Sequence, residues 1–357
     1  MTEMLRKARD IAEEVLLPAA GEVDRTGRIP DGHFRRLADD GFYGIVAPVE
    51  FGGPGADFAE FVQVVEILAG ACLTTTFTWL QHHGVVMGLA MTPNTALREE
   101  YLRRAASGEL RGGGAFSGVL PTPPRVRATR AGDGWSLTGV VPLVSGWGLV
   151  DVLHVSAFDA GSGDVVSGLV DAREGGGIAQ VHPLTLVAAQ ASNTVRLELR
   201  DLHLPDDRVT TRVNRQGYLA GLVLGLRVDS ALALGLVGRA VTGLAAAGYP
   251  EQAGALHAAA GELTSAFDAA MADPERLPAM RAACSELAVR ACTTYVVAAG
   301  ASALLATHDA QRLARESLFT LVVASRPEVK SALLGLLTGP ARVAELAVAG
   351  SPGGGAP

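Results

Sequence analysis

Apolar residues recur at helical spacing through the first hundred positions of the chain. In residues 5–16 the leucine, alanine, isoleucine and valine side chains fall on one face of a helix, and polar residues fill the other. Glycine and proline interrupt this pattern at residues 27–32 and 46–57, because they favour backbone angles that a helix does not use. The pattern predicts an amino-terminal domain of several packed helices over residues 1–108.

The pattern changes near residue 109 to short alternating runs rich in β-branched residues. In residues 193–204 the residues Val195, Leu197 and Leu199 alternate with charged side chains, which is typical of a half-buried strand. We expect a compact β domain over residues 109–208.

Helical spacing returns after residue 210 and continues, with breaks, to about residue 338. This predicts a carboxy-terminal helical bundle over residues 209–340, followed by a disordered tail over residues 341–357. Strands and helices do not alternate as they do in a parallel dinucleotide-binding sheet. The glycine run at residues 111–118 lies in no strand-helix-strand unit, so we do not interpret it as a dinucleotide turn.

Composition and charge exclude several classes of protein. The 357 residues are 48% hydrophobic and 19% charged, which is incompatible with a disordered chain. A formal net charge of −7 argues against a general nucleic-acid binder. Cys72, Cys284 and Cys292 are too widely spaced for a CxxC motif, and acidic residues interrupt the apolar pattern of residues 1–20. We therefore expect a cytoplasmic protein without a membrane span.

Several strings in this three-part order resemble the acyl-CoA dehydrogenase family of flavoproteins, over nearly the whole chain. Residues 41–55 contain Gly-Phe, then Pro, then Phe-Gly-Gly-x-Gly, as in that family's amino-terminal domain. Residues 97–118 and 134–157 are similar to the passages that lead into its two flavin-contacting strands. Residues 307–323 resemble its helix pair with an Arg-Asp dipeptide, which here is Arg315-Glu316.

The resemblance implies an α+β fold with an amino-terminal α-helical domain, a middle β-barrel domain and a carboxy-terminal α-helical bundle. It implies an enzyme with FAD bound between the β domain and the bundle. The implied reaction is α,β-dehydrogenation of an acyl thioester, carried on CoA or on a carrier protein, with hydride transfer to flavin N5. A homodimer or homotetramer is expected, or an assembly with a paralogue, without nucleic-acid or membrane partners.

By this resemblance, a hydroxyl at Ser117 bonds the pyrimidine end of the flavin and a hydroxyl at Ser145 bonds the ring near N5. Leu143 stands where the family usually has a tryptophan, and Trp147 is a candidate to shield the ring instead. The alternative is that both serines are turn residues beside glycine and that Trp147 is a core residue. The implied cofactor-binding residues are Phe116, Ser117, Leu143, Ser145, Trp147, Gly300 and Val323.

Other motifs of the family are altered in this chain. Its Gly-Gly-x-Gly motif is reduced to Ala-Ala-Gly-Ala-Ser-Ala, which retains only Gly300, and its Arg-x-x-Phe-Gly string is missing. The usual catalytic glutamate, eight residues after the Asp of the Arg-Asp pair, is replaced by Ala324. Alanine cannot accept a proton, so we expect a displaced base.

Some family members carry the base on an earlier helix, directly before an arginine. That alignment places Val228 at the base position and Asp229 at the arginine. Asp229 is the one carboxylate on an apolar segment between Gly217 and Gly243, and burial would raise its pKa into a range that suits proton transfer. We therefore predict Asp229 as the catalytic residue, the alternative being a surface aspartate or an ion pair with a neighbouring arginine.

The histidines are less informative. His82 and His83 are adjacent on a predicted helix and point to different faces, so we do not expect a metal site. His308 is either a polar residue near the flavin ring or a residue that begins a helix.

Two further functions remain open from the sequence. One is a flavin-dependent monooxygenase or oxidase of the same fold, which needs no base for the α-proton. The other is a catalytically silent structural or partner subunit, as the altered cofactor motifs suggest.

Overall fold

The computed structural model describes residues 1–324 and 326–339. Six helices come first, and a π turn at Ala12–Leu16 joins the first two of them. They are α1 Glu3–Ile11, α2 Leu17–Thr26, α3 Asp31–Asp39, α4 Phe58–Ala71, α5 Leu73–Met91 and α6 Thr95–Ser107.

Side-chain caps explain where several of these helices begin and end. The Asp57 carboxylate accepts a hydrogen bond from the Glu60 backbone N–H at 2.8 Å at the start of α4, and the Asn94 side chain does the same for Leu97 at 3.1 Å at the start of α6. Gly108 ends α6 in the left-handed conformation, where glycine has no Cβ penalty. The loops after α2 and before α4 contain the two predicted breaks.

Eight strands form one sheet in the order β6-β7-β3-β2-β4-β5-β8, with β1 paired to β4. They are β1 Gly112–Ala115, β2 Val126–Ala131, β3 Gly134–Val144, β4 Val152–Asp159, β5 Asp164–Asp171, β6 Ile178–Pro183, β7 Val195–Pro205 and β8 Val209–Asn214. The predicted end of the sheet at residue 208 was therefore wrong. Strand β8 lies beyond residue 208. Its Val-Thr-Thr-Arg-Val-Asn sequence is too polar to be predicted as a strand, and pairing to β5 holds it in the sheet.

The sheet curls into a partly closed barrel. Five strand spacings separate β7 from β8 in the sheet order, which would be about 24 Å in a flat sheet. Only a short turn, Asp206–Arg208, joins the two strands, and four residue steps reach at most about 14 Å. The sheet must bend to bring these strands together around its apolar core, as the predicted β-barrel domain requires.

Six more helices follow the sheet: α7 Arg215–Gly221, α8 Gly225–Ala246, α9 Pro250–Ala270, α10 Leu277–Ala299, α11 Asp309–Val322 and α12 Pro327–Thr338. The amino-terminal and carboxy-terminal helices share one hydrophobic core. The β domain has its own core. The three-part order of the fold agrees with the expectation, while the predicted tail at residues 341–357 lies outside the described residues.

A close glycine contact joins the two helical regions. A Cβ atom added to Gly235 of α8 would lie 2.3 Å from the carbonyl oxygen of Glu66 and 2.8 Å from the amide nitrogen of Gly70, both on α4. Only glycine lets the two backbones approach this closely.

Two helical stretches, Arg215–Ala246 and Leu277–Leu304, are long and apolar enough to cross a bilayer by length and composition alone. Helix α8, within the first stretch, packs against α4, α9 and α10. The second stretch contains α10, of which one face packs against α8, α11 and α12. Core helices of a bundle meet the same criteria, so these stretches are weak evidence for a membrane.

Candidate active site

A cleft of about 920 Å³ lies where the β domain meets the carboxy-terminal helices. Its walls come from the loop after β1, from α7 and the start of α8, from the turn before α10, and from the segment that leads into α12. The lining is mostly apolar and includes Leu219, Val223 and Leu226. Two arginines, Arg215 and Arg326, also line it, so the cleft combines apolar walls with a few charged groups.

Arg215 holds one wall of the cleft in place. Its Nη2 group lies 3.1 Å from the carbonyl oxygens of Leu120 and Pro121, and 3.2 Å from the Thr122 hydroxyl. These contacts attach the loop after β1 to the start of α7. The Nη2 group of Arg215 is therefore engaged with the wall itself, whereas its Nε atom has no partner among the described residues.

Arg281 lies on α10, two residues beyond Ala279 of the cleft wall. It is buried at the start of α10, and its guanidinium donates to the Ser285 hydroxyl and, at 2.8 Å, to the carbonyl oxygen of Thr320. Its Nη2 also lies 3.5 Å from the carbonyl oxygen of Val323. Arg281 thus fixes the carboxy-terminal end of α11, directly before Ala324.

Asp229 lies on α8, one turn beyond Leu226 of the cleft wall. Burial raises its pKa to about 6, and the positive charges of Arg281 and Arg326 oppose that rise. The side chain is partly exposed and has no hydrogen bond or ion pair to any described residue. A carboxyl group with a pKa near 6 is ionised at neutral pH and accepts a proton more readily than an ordinary aspartate.

The ion-pair alternative for Asp229 is not what the structure shows. The Arg227 Nε atom pairs with Asp268 at 2.8 Å, and the Arg239 Nη2 atom pairs with Glu13 at 2.8 Å. Each neighbouring arginine therefore has another carboxylate as its partner.

Ala324, at the position of the usual catalytic glutamate, is exposed and has a left-handed φ of 50°. It provides no acidic or basic group. Val228, at the alternative base position, is a partly buried apolar residue. Of the three aligned positions, only Asp229 has a group that can exchange a proton.

The two predicted flavin-contacting hydroxyls lie near the adjacent ends of β1 and β3. The Ser117 hydroxyl donates to the Leu143 carbonyl oxygen at 3.0 Å and accepts from the Leu143 N–H at 3.2 Å. The Ser145 hydroxyl lies 2.8 Å from the Thr194 hydroxyl, which lies 2.8 Å from that of Ser192. Both serines therefore have protein partners.

These groups fit the polar edge of a flavin ring. When Thr194 donates to Ser145, the Ser145 hydrogen is left for a ligand, and Ser117 retains one acceptor lone pair. The Leu143 side chain is 55% exposed beside them, and Phe116 is partly buried. This end of the β domain thus presents polar groups together with open apolar surface.

The other predicted cofactor residues are placed differently. Trp147 is partly buried against the β-domain core. Its N–H donates to the Asn193 carbonyl oxygen at 3.3 Å, and the Asn193 side-chain amide donates to the Trp147 carbonyl oxygen at 3.3 Å. Val323 is partly buried beside Arg281. Gly300 is exposed at the far end of α10, about 28 Å along the helix axis from Arg281, and a Cβ added there would meet nothing within 4 Å. The structure does not bring Gly300 to the cleft.

The histidines have structural partners. His82 Nε2 lies 3.1 Å from the Ala105 carbonyl oxygen and its Nδ1 accepts from the Gly112 N–H, while His83 Nε2 lies 3.1 Å from the Phe42 carbonyl oxygen. His308 caps α11 by accepting from the Ala310 N–H at 3.1 Å, which is the helix-start role. Among the described residues no cluster of potential metal ligands is present.

Sequence reasoning missed Arg281 and Arg326, the charged neighbours of Asp229. Arg326 lies two residues after Ala324, the position of the usual catalytic glutamate, so its position contained a usable signal. The position of Arg281 contained no such signal, because a buried arginine on a helix has the same sequence pattern as an exposed one.

Comparisons with known proteins relate this geometry to a family. Residues 2–109 match the model described as "Acyl-CoA dehydrogenase, N-terminal domain". The chain is 29% identical over 188 residues to 3-(aryl)acrylate reductase of Clostridium sporogenes, which covers 49% of this chain and 48% of the relative. It is 27% identical over 240 residues to mitochondrial isovaleryl-CoA dehydrogenase of Pongo abelii, which covers 63% and 56%. The chain thus spans about half the length of these curated relatives.

A solved structure extends the likeness to the whole fold. Glutaryl-CoA dehydrogenase from Mycobacterium smegmatis, in complex with FADH2, matches with a TM-score of 0.81 and 17% sequence identity, over 95% of this chain and 94% of that chain. The amino-terminal region of the chain therefore matches the acyl-CoA dehydrogenase amino-terminal domain, and the chain as a whole has the fold of the solved acyl-CoA dehydrogenases.

Proposed function

We propose that this protein is a flavin-dependent oxidoreductase that removes two hydrogens from the Cα–Cβ bond of an acyl thioester, with Asp229 as the base for the α-proton. The observation that carries the proposal is the Asp229 carboxylate, which has no bonded partner among the described residues and has a pKa of about 6. It lies one turn beyond a cleft-lining residue, whereas Ala324 offers no base.

In this proposal Asp229, the two arginines and the two serines each have a chemical task. Asp229 is ionised above about pH 6 and takes the proton from the α-carbon. Arg281 and Arg326 keep the carboxylate charged despite its burial. FAD, when bound, supplies the acceptor for the hydride from the β-carbon. Ser117 and Ser145 are the residues that would hold the polar edge of its ring.

The test is flavin reduction without oxygen. The purified protein, supplied with FAD, is mixed with a panel of acyl-CoA esters, and loss of flavin absorbance is followed. We expect one ester class to bleach the flavin and Asp229→Asn to slow bleaching by about 10²–10⁴-fold, the usual contribution of a general base. The wild-type rate should rise with pH through about 6, as Asp229 ionises.

Glu262→Gln is the matched control, because Glu262 is an exposed carboxylate on α9 away from the cleft residues. It should leave the rate unchanged. A rate in Asp229→Asn equal to that of the wild type would remove Asp229 from the mechanism.

The absence of a base at Ala324 favours a second candidate, an oxidase or monooxygenase of the same fold. Oxygen consumption by reduced flavin without any thioester-dependent bleaching would support it. Failure to bind FAD at all would instead support the silent-subunit hypothesis.

The assembly remains a proposal as well. Val297, Leu304 and Val322, on and beside α10 and α11, are 80%, 86% and 70% exposed. Such apolar exposure is consistent with a homodimer or homotetramer, or with pairing to a paralogue. Light scattering after gel filtration would distinguish these from a monomer, and cell fractionation would test the proposed cytoplasmic location.

A further inference from the structure

Arg326 is an arginine in the cleft with hydrogen-bonding capacity to spare. Its one hydrogen bond to the described residues runs from Nη2 to the Leu222 carbonyl oxygen at 2.5 Å. It forms no ion pair within residues 1–324 and 326–339. Its Nε and Nη1 atoms have no hydrogen-bond partner among the described residues, and they are accessible to solvent rather than buried.

Of the other two arginines near the cleft, Arg215 does not act on Asp229 and Arg281 does not line the cleft. Arg215 donates to a set of backbone carbonyls, and Arg281 is buried against the end of α11. Arg326 is therefore the arginine near Asp229 that lines the cleft and retains donors for a ligand.

A guanidinium carries five N–H donors in a planar fork that matches the two oxygens of a carboxylate or a phosphate. The cleft walls around Arg326 are mostly apolar, and charge-assisted hydrogen bonds are stronger where water is scarce. The chemistry of this position therefore favours an oxyanion.

We propose that Arg326 is the anion receptor of the cleft and binds an oxyanion of the ligand. That oxyanion is either a carboxylate at the end of the acyl group or a phosphate of the CoA nucleotide. The inference rests on the proposed function only in taking the ligand to be an acyl thioester.

Two carboxylates of the cleft should repel an anionic ligand. Glu328 lies two residues beyond Arg326 and its charge acts on the guanidinium, and Glu275 lines the cleft in the turn before α10. Replacing Glu328 by Gln should therefore strengthen anion binding, whereas replacing Arg326 by Gln should weaken it. Opposite effects from two neighbouring cleft positions would not arise from a general loss of structure.

The experiment is calorimetric titration of the full chain with glutaryl-CoA, butyryl-CoA and butyryl-pantetheine. These probes carry, in turn, an acyl carboxylate with phosphates, phosphates only, and neither anion. Arg173→Gln is the matched control, since Arg173 is an exposed arginine two residues after β5 and the variant changes the net charge equally. Circular dichroism and thermal unfolding of each variant report whether it is folded.

We expect Arg326→Gln to lose about ten- to hundredfold in affinity for the anionic probe that it recognises, as expected for lost charge-assisted hydrogen bonds. A loss for glutaryl-CoA but not for butyryl-CoA identifies the acyl carboxylate. An equal loss for both CoA esters, with none for butyryl-pantetheine, identifies the phosphate.

Unchanged affinity of a folded Arg326→Gln protein for all three probes would overturn the proposal, as would a wild-type protein that binds none of them. Binding is measured without turnover. A protein that shows this selectivity yet never reduces flavin would refute the proposed reaction and leave the anion receptor standing.

Discussion

Asp229→Asn should stabilise the protein at neutral pH while it lowers activity. In the folded protein the pKa of Asp229 is raised from its ordinary value of 3.8 to about 6, chiefly by burial. Between these two pH values the folded state binds more protons than the unfolded state, so stability falls as pH rises. The contribution of the protonated carboxyl group to stability is fully present below about pH 4 and is lost as the pH rises through about 6.

The magnitude follows from the same two values. At about 1.4 kcal/mol per pKa unit, the difference corresponds to about 3 kcal/mol of stability missing at pH 7. Asparagine has nearly the shape of the protonated acid and lacks its charge, so the variant should regain most of that amount. Arg281 and Arg326 do not change this expectation, because neither the asparagine nor the protonated aspartic acid presents a negative charge to them.

Urea unfolding at a series of pH values from 4 to 8 measures the effect. The free energy of unfolding of Asp229→Asn should equal that of the wild type near pH 4 and exceed it by about 2–3 kcal/mol at pH 7. The exposed Glu262→Gln variant should show no such pH-dependent difference. If the gap between Asp229→Asn and the wild type is the same at every pH, Asp229 is not a destabilised carboxylate and the reasoning fails.

Two further predictions concern packing and buried charge. Gly235→Ala should destabilise the protein by about 1–3 kcal/mol or more in urea unfolding, because its Cβ would overlap the α4 backbone. Gly238→Ala meets nothing within 4 Å and should be neutral or gain up to about 1 kcal/mol of helix propensity; equal effects would refute the glycine contact. Glu316→Ala should cost about 3 kcal/mol, the low end for a broken buried ion pair, because it removes the 2.9 Å partner of the buried Arg312 while Asp309 remains at 3.3 Å. A loss below about 1 kcal/mol would show that the pair is not needed.

Local patterns determined much of the fold. The alternation of Val195, Leu197 and Leu199 with charged residues predicts the two faces of β7, because successive side chains point to opposite sides of a strand. Helical spacing predicted the amino-terminal and carboxy-terminal helices, because residues three or four positions apart share one face of a helix. The short strand β8 escaped prediction, since pairing with β5 rather than its own polar sequence makes it a strand.

The sequence by itself also singled out Asp229, as a lone carboxylate on an apolar helix, and Ala324, as a position without a base. Only the tertiary structure decided which charges surround Asp229. Arg281 and Arg326 come from the start of α10 and the start of α12. The neighbouring arginines of α8 form ion pairs with other carboxylates. Sequence periodicity reports which face of an element is apolar, but the charges that meet in a cleft depend on how distant elements pack, and that information is not local.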